Sequence, residues 1–100
     1  MSGRKFLLSA LAVTTLSAAP ISTVYQQRCA NCHGSDGDKH VMNRSDPIKG
    51  LPVDEIEKAL NEYATGSRPT LPVVKTMKKY FLDTTSPEQV HELAQYIHTL

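Results

Sequence analysis

Tyr25-Gln26-Gln27-Arg28-Cys29-Ala30-Asn31-Cys32-His33-Gly34 is the stretch on which the chain turns, because Cys29 and Cys32 are separated by two residues and His33 follows at once. That C-x-x-C-H spacing is the attachment pattern of a c-type haem. On one helical turn, two thiols can each add to a vinyl group of the same porphyrin, and the next side chain then lies under the iron. Cys29 and Cys32 are therefore expected to form the haem thioethers, and His33 to be the proximal iron ligand.

Three other readings of these residues explain less. A thioredoxin-like dithiol belongs after a strand in a βαβ pattern, and no strand-like alternation precedes Cys29. A structural zinc site needs four nitrogen or sulfur ligands at close spacing, whereas His33, His40, His91 and His98 are scattered along the chain. A plain Cys29–Cys32 disulfide suits an exported protein but gives no role to His33.

Working outward to the N-terminus, Ser2-Gly3-Arg4-Lys5 is a basic segment, Phe6 to Leu16 is apolar apart from Ser and Thr, and small residues follow. This is the pattern of a secretory signal peptide. The expected organisation is a signal peptide over residues 1–18, with cleavage after Ala18 or Ala19, and one domain over 19–100. The alternative is a retained anchor, since no charge occurs in the 19 residues from Phe6 to Val24, close to the lower limit for a membrane span. Thr14, Thr15, Ser17 and Pro20 weaken it. Export and covalent haem agree, because bacterial haem attachment takes place outside the cytoplasmic membrane.

Without Arg4 and Lys5, 9 basic side chains face 10 acidic ones, and no basic stripe with interleaved aromatics offers a nucleic-acid groove. A domain of about 80 residues buries little apolar surface and needs a staple. Covalent haem is the expected staple, so the haem-free chain is expected to be largely unfolded.

The mature chain reads as four short helices. Ile21, Val24, Tyr25, Cys29 and Cys32 recur at helical spacing and predict a first helix from Ile21 to Cys32. A polar loop at Gly34 to Asp38 ends it, and a connector without strong periodicity runs from Lys39 to Gly50. Ile56, Ala59, Leu60 and Tyr63 form one apolar stripe, with acidic residues at its start, and predict a helix from Val53 to Ala64 stopped by Gly66. Val73, Val74, Met77, Tyr80 and Phe81 predict a shorter helical piece after the Arg68–Pro72 turn. Ser86, Pro87 and Gln89 open a last helix that buries Val90, Leu93, Ala94 and Ile97.

With these elements in place, the chain resembles a small class I monohaem cytochrome c of the bacterial soluble type over essentially the whole mature length. Residues 25–34 resemble that family's first helix and haem site, Ala59 to Arg68 its approach to the distal side, and Leu93 to Ile97 its terminal helix. The resemblance implies an all-α cytochrome c fold wrapped around one haem c. It also implies a methionine sulfur as distal ligand, and Met77 fits, 44 residues after His33 and 9 before Ser86. A thioether ligand raises the reduction potential and suits electron transfer, although a core methionine is the plainer reading of Met77. Met42 is a rival only 9 residues from His33, and His40, His91 and His98 are nitrogen alternatives. Pro47 resembles the family's proline whose carbonyl accepts the proximal histidine's ring N–H, though Ile48-Lys49-Gly50 departs from the usual spacing. Tyr63 and Arg68 are candidates to reach the haem propionates. Lys75, Lys78 and Lys79 surround Met77 and resemble the family's docking lysines, with a solvated helix face as the plain alternative.

The resemblance implies a periplasmic one-electron carrier, not an enzyme, moving electrons between a membrane donor complex and a terminal or periplasmic oxidoreductase. The alternatives are a haem relay subunit of a larger periplasmic oxidoreductase and a gas-binding haem protein with an open distal site.

Overall fold

Proline chemistry sets four of the helix starts. Proline lacks an N–H and has a fixed φ, which suits the beginning of a helix where that donor is unpaired anyway. The computed structural model describes residues 19–43 and 45–100. In it, Pro20 precedes α1 (Ile21–Arg28) and accepts from the Thr23 and Val24 N–H groups, at 2.9 and 3.1 Å. Pro52 precedes α3 (Val53–Thr65), Pro72 opens α4 (Pro72–Asp83), and Pro87 opens α5 (Pro87–Thr99). At α5, Ser86 Oγ accepts from the Gln89 N–H at 3.2 Å. The return bond of a full capping box, from the Gln89 side chain, is absent among the described residues.

The first helix differs from the expected single run. It is divided into α1 and α2 (Ala30–His33) by Cys29, whose φ of −127° leaves the helical region. The backbone bonds carry on across the break, with Cys29 N–H donating to Tyr25 O at 2.9 Å and His33 N–H to Cys29 O at 3.0 Å. A 3₁₀ turn (Val41–Asn43) occurs in the connector that carried no periodicity, with Met42 at φ 53°. The α4 segment is also longer than expected, matching α3 and α5 to within a residue. The described residues hold no strand, and the fold is all-α as read from the sequence.

Packing follows the apolar stripes. α3 packs on both α4 and α5, and α1 packs on α5. Tyr25, Ile56, Phe81, Val90, Leu93, Ala94 and Ile97 form the core, with Tyr25 and Leu93 fully buried. The Tyr25 and Tyr96 rings meet at 5.5 Å and tie α1 to α5. The connector is pinned at three points: Ile48 and Lys49 N–H donate to Gly37 O, and Gly50 N–H donates to Ile97 O. The expected signal peptide, residues 1–18, lies outside the described residues. None of the described helices is long and apolar enough to cross a membrane.

Candidate haem site

Because α1 packs on α5, α5 on α3, and α3 on α4, the helices leave a seam between the first and last members of that series. A cavity of about 380 Å³ occupies this region, within the range of small-molecule and cofactor sites. Cys29 and His33 line it from the motif side and Met77 from α4. Its remaining walls are largely apolar, with Phe81, Leu93 and Ile97 contributed by the core itself.

The motif is held by its own neighbours. Tyr25 Oη donates to the carbonyl of Gly34 at 2.7 Å, joining the middle of α1 to the residue after His33. Gly34 has φ +87°, and a Cβ there would approach Asp38 Oδ1 at 2.9 Å, so the turn that leaves the motif requires glycine. Cys29 is half-buried, and burial pushes its thiol pKa up. Cys32 is exposed and does not line the cavity. Burial, reinforced by the positive charge of Lys78, lowers the His33 pKa to about 4. The ring is therefore held neutral, the state in which imidazole binds a metal. Its Nδ1 is buried without a hydrogen-bond partner among the described residues.

That orphaned nitrogen is the atom for which Pro47 was expected to supply an acceptor. No bond joins His33 to Pro47; the Ile48 and Lys49 N–H groups bind Gly37 O, and Ile48 and Leu51 line the cavity while Pro47 does not. Tyr63 lines the cavity, but Arg68 does not. The Arg68 guanidinium donates twice to Glu62 Oε1, at 3.0 and 2.7 Å, and stacks 5.2 Å from the Tyr63 ring. Of the three lysines, Lys78 lines the cavity, Lys79 is paired with Asp83 at 2.9 Å, and Lys75 is exposed.

The rival ligands lie elsewhere. Met42 faces a second cavity with Val41, Leu71 and Val74, which shares only Tyr63 with the first. His40 Nδ1 donates to Ser45 O, His91 Nδ1 to Glu57 Oε2, and His98 Nδ1 to Leu51 O, and none of the three lines the site. Three contributors escaped the sequence reading. Ile48 comes from the connector without periodicity, and Leu51 directly follows it. Arg28 lines the cavity beside Cys29, and its adjacency to the motif was the available signal.

Two cysteines, one neutral, half-buried imidazole with a free ring nitrogen and an apolar cleft make a donor set suited to a covalently bound haem. The cytochrome c family model matches residues 18–100. The chain belongs to the cytochrome c family. Cytochrome c-553 of Nitratidesulfovibrio vulgaris is 32% identical over 94 residues, covering 91% of this chain and 86% of the relative. Cytochrome c-553 of Helicobacter pylori is 29% identical over 99 residues, covering 96% and 98%. The cytochrome subunit of sulfide dehydrogenase of Chlorobaculum tepidum is 33% identical over 72 residues, covering 72% of this chain and 59% of that subunit. As a small monohaem c-type cytochrome, the protein carries one covalently attached haem c with its iron, and it serves as an electron carrier.

Proposed function

We propose that this cytochrome is a periplasmic one-electron carrier with His33 and Met77 as axial ligands and Cys29 and Cys32 as the thioether residues. The observation that carries the proposal is the convergence of Cys29, His33 and Met77 on one apolar cavity, while Met42 and the other three histidines are engaged elsewhere. When bound, haem c supplies the one-electron couple of its iron. The residues of the chain bind, orient and shield. His33 presents a neutral nitrogen, Met77 presents a thioether that favours the reduced state, and Phe81, Leu93 and Ile97 exclude water from the cleft. Tyr63, on the cavity wall, is positioned to meet a propionate, and Arg68 backs its ring. The basic segment and apolar run of residues 2–16 support export and cleavage near residue 18.

Docking belongs to the α4 face. Val73 and Tyr80 are exposed apolar side chains two turns apart on that helix, with Lys75 and Lys78 beside them. An apolar contact flanked by cations suits an acidic redox partner. The relative named as a sulfide dehydrogenase subunit supports a second reading, in which the same face seats the protein in a larger oxidoreductase.

The test is the absorption spectrum of the mature holoprotein in both oxidation states. Low-spin ferrous iron unmoved by carbon monoxide, with a sulfur-to-iron charge-transfer band in the ferric form that Met77→Ala abolishes, is the expected result. A high-spin spectrum shifted by carbon monoxide would replace electron carriage with gas binding. Co-purification with an oxidoreductase at a fixed ratio would favour the subunit reading.

A further inference from the structure

Arg28 bridges α1 and α4, two helices that pack little on each other. α1 and α4 have no packing comparable to that of α3 on α4 or of α1 on α5, and the haem cavity lies between them. Across that gap the Arg28 guanidinium lies 5.1 Å from the centre of the Phe81 ring and 5.5 Å from that of Tyr80. It also donates to Thr84 Oγ1 at 3.4 Å, a bond spanning 56 residues of sequence. Phe81 is buried and belongs to the core, so one end of the bridge is rigid. The other end is the residue before Cys29. Tyr80 and Phe81 lie on the helix that carries Met77, and Thr84 caps its C-terminal end.

From this geometry we infer that Arg28 is a positioning residue that clamps α4 against the haem-motif helix and so restrains Met77 from leaving the iron. The inference rests on the His33/Met77 reading above. The chemistry requires arginine, because a planar guanidinium stacks on aromatic faces and still donates hydrogen bonds from its edge. A lysine ammonium keeps the charge but has no flat face to stack. The clamp acts through side chains, so α4 is held beside a bulky cofactor where the α1 and α4 backbones pack little on each other.

The experiment titrates ferric holoprotein with imidazole, which binds iron only when the distal methionine is displaced, and records thermal unfolding in parallel. Arg28→Gln is expected to raise imidazole affinity about tenfold, equivalent to ~1.4 kcal/mol of lost restraint. Arg28→Lys is expected to recover only part of the resistance. Tyr80→Phe, which keeps a ring, is expected to match the wild type, and Tyr80→Leu to weaken resistance several-fold. Lys79→Gln, which removes a nearby surface charge, is expected to change nothing. Tyr80 is 63% exposed, so its variants remain informative if Arg28→Gln yields no holoprotein. Unchanged imidazole affinity in Arg28→Gln and Tyr80→Leu, with the wild-type charge-transfer band intact, overturns the clamp alone. Full recovery by lysine also overturns it, in favour of a simple charge effect. Absence of the charge-transfer band from the wild type overturns the ligand reading and the clamp together.

Discussion

At the scale of single residues, Tyr25 shows how one hydroxyl can hold a site it does not touch. Its ring is fully buried between α1 and α5, and its hydroxyl satisfies the carbonyl of buried Gly34. Tyr25→Phe would remove one of the two bonds to that acceptor, which the Gly37 N–H also reaches at 3.1 Å, and about 1 kcal/mol of stability is expected to be lost in denaturant unfolding of the holoprotein. Burial above all, with nearby negative charge, pushes the Tyr25 pKa from 10.0 up to about 12. The folded value lies above the unfolded one, so the phenol stabilises the fold fully below pH 10, and that contribution is lost as the pH rises through about 12. The stability difference between wild type and Tyr25→Phe should therefore shrink above pH 10; a difference independent of pH would refute the assignment. Gly34 is constrained in the same way. Its positive φ and the 2.9 Å approach to Asp38 mean that Gly34→Ala should lower the yield of haem-loaded protein.

The helices are specified mainly at their ends. Ser86 Oγ satisfies the Gln89 N–H, one of the donors that the first turn of α5 leaves free. Ser86→Ala is expected to cost about 1 kcal/mol in a urea unfolding curve. Gly66 closes α3 at φ +85°, with its N–H donating to Glu62 O at 3.0 Å. Gly66→Ala should cost a similar ~1 kcal/mol, because an L side chain is strained in the left-handed region. By contrast, the Lys79–Asp83 pair on α4 is exposed on both sides, and its removal should shift stability by less than about 1 kcal/mol. These positions were legible in the sequence because capping and turn chemistry is local. The break at Cys29 and the 3₁₀ turn at Val41–Asn43 were not. Neither has a composition signal, and both depend on how the chain enters and leaves the haem motif.

For the molecule as a whole, the core and the cofactor site share walls. Phe81, Leu93 and Ile97 belong to the apolar core and also face the cavity. A domain this small gains only about 3–5 kcal/mol from one apolar core, so removing haem should unfold most of the chain. Far-UV circular dichroism of the haem-free mature protein is expected to show largely lost helicity; native helicity would refute the shared-wall argument. Reaction rates with an acidic partner should fall as salt is added, with Lys75→Glu slowing the reaction more than Lys79→Glu, since Lys79 is already paired with Asp83. The sequence by itself determined the helical class, the helix starts at Val53 and at Ser86-Pro87, and the haem motif, because caps, periodicity and C-x-x-C-H are written in neighbouring residues. Only the tertiary structure decided which distant side chains meet. It brought Met77 into the cavity of His33 and set Met42 in another, lined that cavity with Ile48 from the connector, and carried Arg28 across to Phe81. Those choices depend on how α1, α3, α4 and α5 pack, and packing is a property of no single stretch of chain.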